Sequence, residues 1–208
     1  MPGAQIVITD GLTPLSALTF LGFVLGIGAA VFLAAFSLVL GRSDVAKLIA
    51  GLSVGGAGLY SALLLVAALT STDRVLALGD EKHICEVDCH LAYSVVRAGT
   101  QGAHYIVTVK VRFDETTISP HRGTGPLMPN SRYVALVDAQ GRRYGAPADG
   151  LRRQLVPGES YTTDLIFDLP AEARDLRLLL ASGDLETPFL IGHENSFFHG
   201  KTTFRLQT

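Results

Sequence analysis

Two long stretches of apolar residues dominate the first third of the chain. No charged side chain occurs from Gly11 to Gly41 or from Leu48 to Thr72. A helix that crosses a bilayer needs about 20 apolar residues, and both stretches are longer than that. The pattern therefore predicts two transmembrane helices, TM1 at about 14–40 and TM2 at about 48–70.

A cleaved signal peptide is the alternative interpretation of the first stretch. The residues before it, MPGAQIVITD, contain no Lys or Arg, and the apolar run is longer than a signal sequence needs. The connection Arg42–Lys47 contains two cations, which favour the cytoplasmic side of a membrane. We therefore expect a protein of the inner (plasma) membrane whose N-terminus and C-terminal domain both lie on the extracytoplasmic side.

Small residues recur every four positions in both predicted helices. They are Gly22, Gly26, Ala30 and Ala34 in TM1, and the pairs Gly51 with Gly55 and Gly58 with Ala62 in TM2. This spacing lets another helix approach closely. Because the connection is short, we expect these faces to pack against each other within the hairpin. Docking onto another membrane protein or onto a second copy is the alternative. Neither stretch contains a charged residue, which ion and proton pathways usually need, so we expect an anchor rather than a pore.

The second half of the chain alternates between apolar and polar residues with a period of two, which is typical of strands with one buried face. Tyr105–Phe113 is the clearest case, and Tyr161–Leu169 repeats it. Asp138–Gly141 and Pro157–Gly158 carry turn signals. Further strands are predicted at 91–97, 132–137, 142–145, 175–181, 187–191 and 201–206. Short strands at regular spacing predict an antiparallel β-sandwich over 91–208.

Two motifs lie within residues of about 91–182, SRYVALVDAQGRRY and LVPGESYTTDLIFDLPAEARDLRLLL. They resemble the immunoglobulin-like domains of unknown function on many bacterial lipoproteins and membrane-anchored proteins. In those domains a strand ends in a V-D-x-x-G-x-x-Y hairpin, and an L-x-P-G-E-S turn follows. The resemblance implies an immunoglobulin-like sandwich that binds or assembles, and it supplies no catalytic residues.

Both cysteines lie in the stretch HICEVDCH, within a predicted linker at 73–90 between TM2 and the sandwich. An extracytoplasmic position for Cys85 and Cys89 favours a disulfide. In an extended strand their Cα atoms would be about 13 Å apart, whereas a disulfide needs them within about 7 Å. The bond therefore requires a turn at this point. A metal site and free thiols are the alternatives.

A copper or zinc site is the second interpretation of this stretch, because thiolate, imidazole and thioether ligands suit those metals. Subunit two of haem-copper oxidases is similar in having two helices, an external sandwich and a Cys-x-x-x-Cys copper loop. In that family the loop lies late in the sandwich, whereas here it precedes the predicted sandwich. The candidate ligands are Cys85, Cys89, His83, His90, His121 and Met128.

The segment GHENSFFHGKTTF, at 192–204, is a second cluster of polar and aromatic residues. It is interpreted either as a binding loop or as a solvated loop that satisfies its own backbone. The candidate binding residues are His193, Glu194, Asn195 and His199.

The remaining features exclude several classes of function. A net charge of −2 at pH 7 gives no basic surface for nucleic acid, and no pairing of a nucleophile with a base is visible. We therefore expect a membrane-anchored, non-catalytic accessory, assembly or ligand-binding module without a cofactor. The alternative is a copper- or zinc-binding protein for metal delivery or electron transfer.

Overall fold

The structure is a computed structural model that describes residues 5–9, 13–85, 89–118, 123–129, 132–182 and 187–206. Two long helices, α1 (Thr13–Val39) and α2 (Ser43–Thr70), pack side by side. Both are long and apolar enough to cross a membrane. At 1.5 Å per residue, they are about 40 and 42 Å long. Helix α2 begins earlier than predicted, because the chain reverses within a very short connection.

A glycine sets the reversal between the helices. Gly41 adopts a left-handed conformation, with φ of 73°. The N–H of Arg42 donates to the carbonyl oxygen of Ser37 (2.8 Å), and the N–H of Gly41 donates to that of Leu38 (2.9 Å). These two bonds form a Schellman motif, which glycine enters without steric cost. Helix α1 therefore ends sharply, and α2 starts as its antiparallel neighbour.

The helices do not pack through their glycine faces. A Cβ atom added at Gly22, Gly26, Gly51 or Gly55 would meet no atom within 4 Å. The expectation that the hairpin packs against itself through small residues is therefore wrong for these glycines, whereas Ala30 and Ala34 of the same predicted face are among the less exposed positions. The less exposed positions instead recur every three or four residues, as in a coiled-coil seam. They include Phe20, Phe23, Ile27, Ala30, Ala34 and Ser37 in α1, and Ala46, Ile49, Ser53, Ala57, Tyr60, Leu64, Ala67 and Ala68 in α2.

Ten strands among the described residues form two sheets. The strands of the first sheet are β1 (Ile6–Thr9), β3 (Glu81–Ile84), β4 (Leu91–Gln101), β5 (His104–Phe113) and β8 (Ser160–Phe167). Those of the second sheet are β2 (Arg74–Leu76), β6 (Arg132–Val137), β7 (Arg143–Gly145), β9 (Arg177–Ser182) and β10 (Thr202–Arg205). The spatial orders are β1-β3-β4-β5-β8 and β2-β10-β9-β6-β7.

The two sheets give the β-sandwich that the alternation predicts, with three differences. The sandwich is not fully antiparallel, because β1 pairs with β3 and β2 pairs with β10 in parallel. The predicted linker at 73–90 contains β2 and β3, which are too short to show an alternation in the sequence. The predicted strand at 187–191 is a short 3-10 helix, Thr187–Phe189. Pro188 lies at its centre and has no N–H to donate to a sheet.

The core lies between the sheets and follows the predicted faces. Alternate residues of β5 are buried, from Tyr105 to Phe113, and β8 buries Tyr161, Leu165 and Phe167. Burying one such side chain stabilises the fold by about 1.5–3 kcal/mol. The opposite sheet contributes Val134, Leu136, Leu178, Leu180 and Phe204.

Strand directions define two ends of the sandwich. Strand β1 precedes α1 and ends at Thr9, which pairs with Ile84, so the turn after β3 lies near the start of α1. We call this the helix-facing end. Strand β2 follows α2 and therefore runs away from the helices. Strand β10 runs parallel to it, so Arg205 at the end of β10 lies at the opposite end, which we call the far end. The hairpin between β6 and β7 is also at the far end, because Val137 pairs with Arg177, which in turn pairs with Arg205.

Candidate functional site at the helix-facing end

Most residues singled out in the sequence lie at the helix-facing end, in two groups. The first is the turn that contains the cysteines, together with the charged residues around it. The second is the segment 187–200, which we call the contact loop because it touches both helices.

Cys85 and Cys89 form a disulfide, with their Cα atoms 4.2 Å apart. This confirms the disulfide interpretation. Cys85 follows directly after β3, and its N–H donates to the carbonyl oxygen of Thr9 (3.2 Å). The hydroxyl of Thr9 donates in turn to the carbonyl oxygen of His83 (3.0 Å). The disulfide therefore fixes the turn beside the end of β1, where the chain approaches α1.

His83 fastens the disulfide turn to β3. The side chain is 2% exposed. Its Nδ1 lies 3.0 Å from the carbonyl oxygen of Cys89, which can only accept, so Nδ1 carries the proton. Its Nε2 faces Glu81 and Asp114, at 3.7 and 3.9 Å from their carboxylate oxygens. His83 thus acts as a buried hydrogen-bond donor from β3 to the backbone of Cys89.

Arg112 joins the two carboxylates beside His83. Its Nε donates to Oε1 of Glu81 (3.0 Å), and its Nη2 donates to Oε2 of Glu81 (2.6 Å) and to Oδ2 of Asp114 (3.2 Å). The hydrogen bond from Arg112 lowers the pKa of Glu81. Burial alone would raise the pKa of Asp114, but hydrogen bonds from Thr116 and Arg112 outweigh it and lower that pKa to about 2. Both carboxylates are therefore charged at neutral pH.

The other candidate metal ligands are dispersed. His90 is buried, its Nδ1 bonds with the Thr117 hydroxyl, and its ring stacks on Phe113 at 5.7 Å between centroids. Met128 is 60% exposed, and His121 lies outside the described residues.

The metal interpretation gains no support from this arrangement. The disulfide occupies both sulfur atoms, whereas a copper or zinc site needs thiolates. Over the described part of the chain, no group of three or more His, Cys, Asp and Glu side chains is placed to hold a metal ion. The similarity to subunit two of haem-copper oxidases is unsupported for the same reason, because its copper loop requires both cysteines.

A buried ion pair ties the contact loop to the core. Lys82 points inward from β3 and is 0% exposed. Its Nζ donates to the carbonyl oxygens of Leu180 (2.7 Å) and Thr202 (3.0 Å), and it lies 2.7 Å from Oε2 and 2.9 Å from Oε1 of Glu194. Glu194 also accepts from the N–H of Thr202 (2.6 Å). Three strands and the contact loop therefore meet at one ammonium group.

The polar residues of the contact loop point into the protein. Glu194 and His193 are 3% and 2% exposed, and Nδ1 of His193 accepts from the N–H of Asn195 (2.9 Å). Asn195 and His199 are half-buried, and Nδ1 of His199 donates to the carbonyl oxygen of Gly200 (2.9 Å). The structure thus places these candidate binding residues within one loop, but they mainly build the loop itself.

The contact loop is attached to both helices. The Tyr60 hydroxyl donates to the carbonyl oxygen of Phe189 (2.7 Å), and the Ser16 hydroxyl donates to that of Ile191 (2.8 Å). The rings of Phe20 and Phe189 stack with centroids 6.0 Å apart. Sequence reasoning missed these contacts. The one available signal is Tyr60 itself, the single aromatic residue in the sequence of α2.

Gly200 marks a close approach at the end of the loop. Its N–H donates to the hydroxyl oxygen of Ser71 (2.7 Å), just after α2. A Cβ atom at this position would lie 2.5 Å from the backbone carbon of Thr72. Only glycine therefore lets the loop and the end of α2 meet here.

The far end carries a shallow, polar depression of about 830 Å³. Its charged lining residues are Asp138, Asp175, Arg177 and Arg205. Side chains of both signs in an open depression suit a polar ligand or a polar patch of a partner protein better than an apolar ligand.

The fold assignment rests on the strands themselves. No protein-family model and no curated protein matches the sequence. A similar solved structure is that of MPT63, a secreted protein from Mycobacterium tuberculosis, which is 12% identical with a TM-score of 0.40. The alignment covers 65% of this chain and 99% of that one. The resemblance to bacterial immunoglobulin-like domains is therefore not confirmed at the level of family.

Proposed function

We propose that the protein is a membrane-anchored, extracytoplasmic β-sandwich that acts as a non-catalytic accessory, assembly or ligand-binding module. One observation carries the proposal: β1, before α1, pairs with β3, after α2. Because one sheet contains both strands, the segments on either side of the helical hairpin must lie on the same side of any membrane. Two crossings return the chain to that side.

The same pairing argues against removal of α1 as a signal peptide. Cleavage after α1 would detach β1 from the sheet. It would also remove the backbone bonds from Glu81 to Gln5 (2.9 Å) and from Cys85 to Thr9 (3.2 Å). A retained helix α1 keeps the sheet complete.

The charges and the disulfide support one orientation. Arg42 and Lys47 lie at the connected ends of the helices, which favours the cytoplasm for that end. The disulfide lies at the other end, in a domain that would then face an oxidising compartment. The non-catalytic role is supported by the engagement of His83, His90 and His193 in structural hydrogen bonds.

The glycine faces are the proposed contact for a membrane partner. Gly22 and Gly26 in α1, and Gly51 and Gly55 in α2, lie outside the seam between the helices. Small residues at this spacing allow close approach of another transmembrane helix. The depression at the far end would receive a polar ligand or partner outside the membrane.

Topology is tested with single cysteines added to the full chain, because the native cysteines are bonded to each other. Ser43→Cys lies at the connection and Gln140→Cys lies in the exposed far-end hairpin. In intact cells, a membrane-impermeant maleimide should label Gln140→Cys, and should label Ser43→Cys only after permeabilisation. Equal labelling of both positions in intact cells would overturn the anchor.

The assembly role is tested separately by substituting the glycines. Gly55→Leu should leave the hairpin intact, since nothing lies within 4 Å of an added Cβ, but should release a partner helix or second copy. Leu52→Phe, at an exposed position of the same helix, is the matched control. The mass of the complex in nanodiscs reports the result, and an unchanged mass for Gly22→Leu, Gly26→Leu, Gly51→Leu and Gly55→Leu would exclude these faces.

A further inference from the structure

The contact loop exposes aromatic side chains and buries polar ones, which is the reverse of the usual arrangement. From Pro188 to Phe198, the exposed side chains are aromatic: Phe189 at 48%, Phe197 at 49% and Phe198 at 84%. In the same segment His193, Glu194 and Ser196 are buried. A loop in water normally exposes its polar residues and covers its aromatic ones.

Two of the exposed rings are packed in a chain of contacts that ends on helix α1. The Phe197 ring packs edge-on against Phe189, with centroids 5.4 Å apart, and Phe189 stacks on Phe20 of α1. The neighbouring Phe198 has φ of 60°, a left-handed conformation that is costly for a bulky residue. The loop therefore adopts a costly backbone conformation at its most exposed aromatic residue, which points to a function for that exposure.

The position of Tyr60 along α2 gives the depth of this loop. From Ser43 to Tyr60 the helix rises about 26 Å, at 1.5 Å per residue, which is less than the hydrocarbon core of about 30 Å. The helix continues beyond Tyr60 to Thr70. Those outer turns are apolar and exposed, with Leu63, Leu65, Val66 and Leu69 between 48% and 73%. Phe189, which accepts the Tyr60 hydrogen bond, therefore lies no higher than the outer boundary of the hydrocarbon core.

We propose that the contact loop dips into the outer leaflet, with Phe197 and Phe198 in contact with lipid. This inference rests on the proposed membrane anchor. The exposed rings continue the apolar surface of the helices at the same level, and lipid covers that surface in an anchored protein. Aromatic side chains are favoured at the membrane interface. Burial of Glu194 against Lys82 removes the loop's carboxylate from contact with lipid.

The consequence is a fixed orientation of the sandwich. Two helices alone would let a domain tilt about their outer ends. A third attachment through the loop would hold the far-end depression at a constant height and angle above the membrane. That geometry suits a module that presents one surface to a partner.

The test uses tryptophan fluorescence, because the sequence contains no tryptophan. Full-length Phe198→Trp and Phe197→Trp are placed in phosphatidylcholine vesicles whose acyl chains are brominated either near the headgroup or near the chain end. We expect strong quenching of both variants by the shallow bromines and weak quenching by aqueous acrylamide. Ile166→Trp, exposed on β8 toward the far end, should show the opposite pattern.

A fourth variant separates this inference from the anchor. Phe32→Trp, 69% exposed on α1, should be quenched by the deep bromines if the helices cross the membrane. Quenching of Phe32→Trp together with acrylamide-accessible Phe197→Trp and Phe198→Trp would overturn lipid contact but keep the anchor. Protection of the loop tryptophans from both quenchers would also overturn it, because a protein would then cover the loop. Absence of lipid quenching in all variants would overturn the anchor itself.

Discussion

The Tyr60 hydroxyl donates a hydrogen bond to the carbonyl oxygen of Phe189, at 2.7 Å, and so joins helix α2 to a loop 129 residues later in the chain. The Phe23 ring stacks on the Tyr60 ring with centroids 4.4 Å apart. Tyr60 thus holds three parts together: α1, α2 and the contact loop. The helical hairpin and the sandwich are coupled at this residue.

Removing the hydroxyl group should loosen this coupling. Tyr60→Phe keeps the ring stack but leaves the Phe189 carbonyl without this donor, at an expected cost of about 1 kcal/mol. We expect a lower unfolding temperature in nanodiscs and faster hydrogen exchange in the contact loop. Tyr133→Phe, at an exposed position on β6, is the control and should change neither. Unchanged exchange in Tyr60→Phe would show that the hydrogen bond does not hold the loop.

The ion pair between Lys82 and Glu194 should matter most when only one partner is removed. Glu194→Gln leaves a buried ammonium group without its counter-charge, and we expect a loss of about 3–5 kcal/mol in the free energy of unfolding. The double variant Lys82→Met with Glu194→Gln should recover much of that loss, because no uncompensated charge remains. Denaturant unfolding of the native protein, Lys82→Met, Glu194→Gln and the double variant gives the coupling energy, and additive losses would contradict a direct pair.

The disulfide should stabilise the helix-facing end only while it is oxidised. The double variant Cys85→Ala and Cys89→Ala should be less stable by about 2 kcal/mol, the chain-entropy value for such a short loop. Reductant should lower the stability of the native protein to a similar degree and leave the variant unchanged. The intact native protein should weigh two hydrogens less than its reduced form, and equal masses would contradict the bond.

Acid should weaken the domain through Glu81 and Asp114. Their pKa values are lower in the folded protein than the ordinary values of 4.5 and 3.8, so their contribution is complete above those values and is lost as the pH falls. For Asp114 the loss should occur between about pH 4 and pH 2, on the order of 1 kcal/mol after solvent screening. Denaturant midpoints measured across this pH range give the slope of stability against pH.

Arg112→Gln is the matched variant for the acid experiment. It removes the charged donor that both carboxylates share, so their pKa values should return toward the ordinary ones. We expect lower stability at neutral pH and a flatter dependence on pH below 4.5. A slope as steep as that of the native protein would show that other groups cause the acid loss.

The sequence by itself determined the elements whose pattern is long and regular. Two apolar stretches gave the two helices, and the alternation in Tyr105–Phe113 and Tyr161–Leu169 gave two central strands with the correct buried faces. These features are local, because the spacing of apolar residues within one segment is enough to predict its secondary structure and its buried face. The turn required by a Cys85–Cys89 disulfide was also predictable, because the reach of four residues is fixed by backbone geometry.

Only the tertiary structure decided the long-range contacts. The three- and four-residue strands β1, β2 and β3 are too short for a period to show. Strand β1 pairs with β3 across the two helices, and β2 pairs with β10 at the other end of the sandwich sequence. The glycines suggested one helix interface, whereas the aromatic pair Phe23 and Tyr60 lies in another. Nothing in the sequence distinguishes Lys82 from a solvated lysine, because its burial depends on Glu194 and on carbonyl groups of two distant strands. Such contacts join residues 98 to 120 positions apart, and they form only when the whole chain has folded.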